Sequence, residues 1–292
     1  MLGIGSYAFR WHVGIRDRFP ERPITAAAIL DHAARLGIGL VQFADNLPLH
    51  ALPSHEVDAL AAQARDLGIV LELGMTGCDP ALVRQYLDLA GRLDVTLLRI
   101  APTAGESAGS NGEIAALFAR LLPDCRAAGV VLAVENHFHL PSPRLVEIVT
   151  RVGDEALGVC LDVANSIACE EWPKTTIDLL APYAVNLHLK DFRIALDPHG
   201  VGGSFVGTPL GQGCFDPAIV FDALARHGRQ VNTILEHWLP WQGDFHRTQA
   251  MELAWLDESV AAARALTGRY PVINTNIAKG ERDVQDTHHH RG

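Results

Sequence analysis

Along the chain, short β-branched apolar runs alternate with longer stretches whose apolar residues recur three and four apart, with polar loops between them. Eight such pairs can be counted. The short runs predict strands near Leu2–Ser6, Gly39–Ala44, Val70–Gly74, Thr96–Ala101, Val130–Asn136, Gly158–Asp162, Ala184–Leu189 and Thr233–Glu236. The longer stretches predict helices near Thr25–Leu36, Ser54–Leu67, Pro80–Leu93, Gly112–Ala128, Pro143–Val152, Thr175–Leu180, Pro217–His227 and Thr248–Leu266. Three joints, RLGIGL, DLGIVL and AAGVVL, put a glycine where a helix gives way to a strand, the place of a left-handed C-cap. Strands that each hand over to a helix pair in parallel through right-handed crossovers, and eight units close an α/β, (β/α)8 TIM barrel. An open doubly wound sheet is the alternative, but Gly3 and Gly5 fall inside the first strand and no GxGxxG follows it.

Two segments break the rhythm. Residues 190–215 are long and glycine-rich for a plain connection, and a long loop after a barrel strand is read as covering the site. Residues 1–266 are expected to form one barrel domain. Residues 267–292 are polar, end in Thr-His-His-His-Arg-Gly, and read as an exposed tail whose histidines are given no specific metal role.

The active face of a barrel lies at the C-terminal ends of its strands, so polar residues that close apolar runs carry the chemistry. The fifth run ends in Glu135 (LAVENH), the sixth in Asp162 (GVCLDVANS), the seventh in His188 (VNLHLKD) and the eighth in Glu236 (TILEHW). A carboxylate closing a buried run needs a cation, a donor network or a proton. Any one of the four can be read as a helix cap or a lysine partner. Four in register on successive strands point instead to one shared cation. Three carboxylates and an imidazole form a mainly oxygen site that suits Mn²⁺, tolerates Mg²⁺ or Co²⁺, and is unlike the thiolate-rich sites of structural zinc.

The composition narrows the partners. At 48% hydrophobic and 20% charged, the 292 residues can bury a large core, and the net charge of −10 argues against gripping nucleic acid or an anionic membrane surface. Small molecules fit better. The five cysteines are scattered with no CxxC pair, which suggests neither disulfides nor a thiolate site and agrees with a reducing cytoplasm. The N-terminus MLGIGSYAFRWH lacks a basic leader and a long apolar stretch, so neither export nor membrane insertion is expected.

VENH, LDVANS, NLHLKDF with a following GTPLGQGCFD, and ILEHW, in that order, resemble the xylose-isomerase-like TIM-barrel superfamily, specifically its sugar phosphate isomerase/epimerase group, over roughly residues 2 to 266. The resemblance implies that Glu135, Asp162, His188 and Glu236 bind one divalent metal. It also implies that Glu135 and Glu236 act as an acid/base pair on a sugar or polyol, through an enediolate, in a dimer or tetramer. Two positions depart from the 3-epimerase pattern: Asn165 stands where those enzymes carry a histidine, and Arg193 lies five rather than six residues past the metal histidine. The HLKD form also recurs in inosose dehydratase-like proteins, so metal-dependent dehydration of a keto-sugar or inosose is the alternative. Lys190, two residues past His188, is read as a donor to a hydroxyl or enolate oxygen, with pairing to Asp191 or to a bound carboxylate as the other reading. His137 shares the face of Glu135 and is read as a substrate contact, with a satisfied structural histidine as the other reading. Glu72 and Arg99 are read as lining the pocket or forming a buried ion pair, and Trp11, His12 and Trp238 as an apolar wall for sugar C–H faces. A DNA-repair endonuclease of the superfamily would need further histidines that the strand ends FADN and ELGM lack. A non-catalytic sugar-binding protein is the remaining class.

Overall fold

A computed structural model describes residues 1–267, 269 and 270. Eight parallel strands close into a barrel: β1 (Leu2–Gly5), β2 (Leu40–Phe43), β3 (Val70–Thr76), β4 (Leu97–Ala101), β5 (Val131–Glu135), β6 (Leu157–Asp162), β7 (Ala184–Leu189) and, after the hairpin strands β8 (Asp191–Leu196) and β9 (Gly203–Thr208), β10 (Asn232–Leu235). Each pairs with its sequence neighbour, and β10 closes the ring between β7 and β1. The helices are α1 (Arg10–Val13), α2 (Ala26–Arg35), α3 (Ser54–Leu67), α4 (Pro80–Leu93), α5 (Ala104–Ser107), α6 (Asn111–Ala127), α7 (Ser142–Val152), α8 (Pro173–Leu180), α9 (Ala218–Arg226) and α10 (Phe245–Thr267). All eight strands and eight helices expected from the periodicity are present, with ends shifted by at most a few residues.

The causes are local. In α2, Ala26, Ile29, Leu30 and Ala33 are buried at helical spacing, while the Thr25 side chain caps the first turn by accepting from Ala28 N. The Ser110–Glu113 capping box does the same for α6. Gly37, Gly68 and Gly129, the three joint glycines, have φ of +62°, +66° and +68°, the left-handed cap that the sequence asks for. The strands are buried along nearly their whole length, as both faces of a barrel wall must be. No helix among the described residues is long and apolar enough to cross a membrane.

Residues 190–215 depart from the expectation of a covering loop. They form the antiparallel hairpin β8–β9, paired from Asp191↔Thr208 to Leu196↔Gly203. Asp191 fastens the returning chain: its carboxylate accepts from the backbone N–H groups of Phe192, Gly211, Gly213 and Phe215 at 2.8 to 3.1 Å. A side chain at Gly213 would fall on that carboxylate. The hairpin stands beside the barrel mouth, and its residues do not line the cavity that Glu135 and Glu236 line. Of the expected tail, Thr267 ends α10, and Arg269 and Tyr270 are described, with Tyr270 Oη donating to Asp222 at 2.9 Å; Gly268 and residues 271–292, including the three histidines, lie outside the described residues.

Candidate metal centre and active site

The last residues of β5 and β6, the fifth of β7 and the residue after β10 meet at the C-terminal mouth of the barrel. His188 Nδ1 lies 3.2 Å from Glu135 Oε1, 3.3 Å from Glu236 Oε1 and 3.9 Å from Asp162 Oδ2, all buried. Atoms of Glu135, Asp162 and His188 all fall within 4.8 Å of one another, close enough to share one ion. The other imidazole nitrogen, Nε2, is 2.8 Å from Gln42 Oε1. Gln42 Nε2 in turn donates to Glu72 Oε2 at 3.0 Å, which fixes the amide with its oxygen toward His188. Nε2 therefore carries a hydrogen in either charge state, and Nδ1, protonated or as a lone pair once the ring is neutral, points at the carboxylates.

Two cations lean on the same carboxylates. Arg99 Nη2 touches Glu135 Oε2, and its Nη1 donates to Asp45 Oδ1 at 3.0 Å. Lys190 Nζ sits 2.7 Å from Asp162 Oδ2 and donates to Glu236 Oε2 at 2.8 Å. Burial works against every charge here, but Arg99 and then His188 hold the Glu135 carboxyl well below the usual range. His188 and Lys190 likewise outweigh burial at Glu236 and bring it down to about 2. Burial, with the nearby Glu135 and Glu236, pushes Asp162 up despite its lysine partner. Burial also opposes protonation of Lys190 and His188, yet both are raised: Lys190 by Asp162, Glu236 and Glu135, and His188 by Cys160, Glu236 and Glu135. The pairing thus shows on Lys190 and not on Asp162, because one ammonium cannot relieve three converging carboxylates.

The residues fit a divalent cation. His188 Nδ1, Glu135 Oε2 and Asp162 Oδ2 are buried without a hydrogen bond among the described residues, and the two carboxylate oxygens have only ion contacts with Arg99 and Lys190. Above them opens a cavity of about 220 Å³. At ~30 Å³ per water, that is room for about seven waters or one monosaccharide-sized molecule. Glu135, Glu236, Lys190, Arg99, His137, Asn165 and Trp238 contribute to its wall.

A profile of the family described as xylose isomerase-like TIM barrel matches residues 30–259. The chain belongs to the xylose isomerase-like TIM-barrel family. Across 89% of this chain and 93% of the relative it is 34% identical to the 3-oxo-isoapionate decarboxylase of Pectobacterium atrosepticum. Solved structures share the fold at lower identity. A xylose isomerase-like TIM-barrel protein from Mycobacterium smegmatis in complex with magnesium superposes with a TM-score of 0.64, at 18% identity, over 89% of this chain and 97% of that one. The D-psicose 3-epimerase with D-tagatose from Clostridium cellulolyticum H10 gives 0.68, 18%, 94% and 99%.

Within this xylose isomerase-like barrel, Glu135, Asp162 and His188 cluster, Glu236 approaches them through His188, and Lys190 reaches the group by pairing with Asp162 and Glu236 rather than Asp191. Asn165 stands against the site, its Nδ2 donating to Glu135 Oε1 at 2.9 Å. His137 lines the cavity, and burial lowers its pKa, which favours the neutral ring. Arg99 both lines the cavity and forms the buried ion pair.

Four expected pocket residues lie elsewhere. Glu72 is the third residue of β3, below the site, where it accepts from Gln42, Asn186 and Asn232; it meets amides, with no ion pair. Trp11 and His12 turn toward α10, Trp11 Nε1 donating to Leu239 O at 2.8 Å and His12 Nδ1 pairing with Glu252 Oε2 at 2.7 Å. Arg193 is exposed on β8 and does not line the cavity. Unforeseen were Gln42, Asp45, Tyr7, Arg10 and Arg16. Gln42 alone left a trace, as a polar residue inside the apolar run LVQF.

Proposed function

We propose that this chain is a divalent-metal-dependent decarboxylase of a 3-oxo sugar acid, with Glu135, Asp162, His188 and Glu236 as the ligands and Mn²⁺ as the preferred ion. The observation that supports decarboxylation over proton abstraction is the pairing of both glutamates with cations. Glu135 is pinned by Arg99 and Asn165, and Glu236 by Lys190 and down to about 2, so neither is a strong base for a C–H bond. Loss of CO₂ needs no base. The bond between the carboxylate and the carbon next to the ketone breaks, its electron pair becomes a new C=C bond as the carbonyl π pair moves onto the ketone oxygen, and CO₂ leaves an enolate, an enediolate where that carbon carries a hydroxyl. The relative named a 3-oxo-isoapionate decarboxylase agrees with that class of substrate.

When bound, the ion would supply Lewis-acid polarisation of the ketone. Lys190 Nζ, cationic at the cavity wall and 5.1 Å from the centre of the Trp238 ring, donates to the developing oxyanion. A proton from the Lys190 ammonium or from water then replaces the lost carboxyl on carbon. Neutral His137 and the Trp238 ring offer a hydrogen-bond partner and a C–H face to the polyol chain.

Isomerisation or epimerisation through the same enediolate is the second reading. It is favoured by the approach of Glu135 Oε1 and Glu236 Oε1 to one point, within 3.3 Å of His188 Nδ1. Metal-loaded protein given 3-oxo-isoapionate in D₂O separates the readings by NMR. Decarboxylation releases one CO₂ per substrate and leaves one deuterium on the carbon that lost it. Deuterium entering a ketose without gas release would replace this proposal with the isomerase, and a water-depleted product from an inosose would replace it with the dehydratase.

A further inference from the structure

Every carboxylate that lines the active-site cavity faces a cation: Asp45 and Glu135 meet Arg99, and Glu236 meets Lys190. Two cations on the same wall are left over. Arg10 and Arg16 have no carboxylate partner among the described residues, although the chain as a whole carries a net charge of −10. Arg10 lies over the Tyr7 ring at 5.2 Å, and its Nε is buried without a hydrogen bond among the described residues. A buried guanidinium donor left unpaired is costly unless a ligand completes it. Arg16 is held at a φ of +56°, a left-handed conformation that disfavours a long side chain.

The segment that carries them is built. Glu252 on α10 accepts from the backbone N–H of Trp11 and His12 at 2.8 and 3.1 Å, and so fastens the start of α1 next to Arg10. Ile15 and Arg18 exchange backbone hydrogen bonds of 2.8 and 2.9 Å around Arg16, and the Arg18 guanidinium stacks on Trp241 at 4.6 Å. Three arginines against one aspartate thus occupy residues 10–19 of an acidic protein, fixed at the rim of the cavity.

We propose that Arg10 and Arg16 form the subsite for the carboxylate of the substrate. The chemistry that fits is a planar oxyanion received by guanidinium forks, and the choice of a carboxylate over a phosphate rests on the decarboxylase reading above. The subsite draws an anionic substrate into a cavity whose floor is acidic. It also distinguishes substrate from product, because the ketose left after CO₂ departs is neutral and loses the contact. The contact exists in the ground state and weakens as the carboxylate becomes CO₂, so it lowers KM without raising kcat.

The test is calorimetric binding to the Mn²⁺-loaded protein of L-threonate, of the neutral L-threitol and of D-erythrose 4-phosphate, with turnover of 3-oxo-isoapionate measured beside it. Threonate is expected to bind about tenfold or more tightly than threitol, and to weaken with added salt. Arg10→Met, which keeps an unbranched stem without the guanidinium, and Arg16→Asn, which suits a left-handed residue, should each cost threonate about tenfold to a hundredfold in affinity and leave threitol unchanged. Arg10→Lys should recover part of the loss. In turnover, the same variants should raise KM with no fall in kcat. Equal losses for threonate and threitol, no threonate binding at all, or arginine dependence for the phosphate alone would each overturn the proposal. If no 3-oxo acid releases CO₂ yet threonate still depends on Arg10, the decarboxylase reading fails and the carboxylate subsite stands. Release of CO₂ with an unchanged KM in both variants is the reverse case.

Discussion

The Gln42 amide is held by Glu72 and accepts from His188 Nε2, which turns the other ring nitrogen toward Glu135, Asp162 and Glu236. Gln42→Leu removes that acceptor and frees the tautomer. The loss expected is about 10–100-fold in Mn²⁺ affinity, measured by calorimetry, with the fold retained by circular dichroism. Lys190→Met is expected to cut kcat by about 10²–10⁴ as the proton donor is lost, while the ion still binds. His188 adds a pH signature. Its pKa in the metal-free fold stands well above the ordinary 6.5. Below that ordinary value, folded and unfolded chains both hold the proton. As pH rises, the unfolded chain releases it first, so the stability this group contributes is lost toward the folded value. An ion at Nδ1 takes the place of the proton, so the gain in Tm from Mn²⁺ should widen as the pH rises above about 6.5. A gain independent of pH would contradict this.

Among the elements, the βα units were legible because each carries an apolar run of strand or helix period, and several add a capping residue such as Thr25 or Ser110 or a joint glycine such as Gly68 or Gly129. The β8–β9 hairpin was not. Its glycines mask the alternation of a strand, and Asp191, which organises the return through four backbone N–H groups, looked in sequence like a partner for Lys190. Asp191→Asn should cost about 1.5–3 kcal/mol, the worth of a hydrogen bond to a charged group, and lower Tm in a thermal melt. A melt indistinguishable from the parent would show that these bonds are replaced by water. In the surrounding helices, Leu30→Ala in α2 should cost about 2–5 kcal/mol in denaturant unfolding without altering Mn²⁺ affinity, because the residue is buried but neither lines the cavity nor touches a proposed ligand.

At the scale of the molecule, the barrel converts four residues distant in sequence into one site, and that convergence was readable because strand ends of a barrel share a rim. What was not readable depends on side-chain direction and on loops without period. Glu72 seemed to close its strand, yet β3 continues to Thr76 and leaves Glu72 below the cage. Trp11 and His12 are beside the mouth in sequence, but Glu252 and Leu239 draw them outward and leave Arg10 facing in. The central claim is that Glu135, Asp162, His188 and Glu236 hold one ion where Lys190 now bridges two of the carboxylates. Anomalous diffraction from crystals grown with Mn²⁺ tests it most directly. One peak bonded to His188 Nδ1 and the three carboxylates, with Lys190 moved off Asp162, is the outcome expected. A peak elsewhere, or Lys190 still bridging Asp162 and Glu236 at saturating Mn²⁺, would contradict the account.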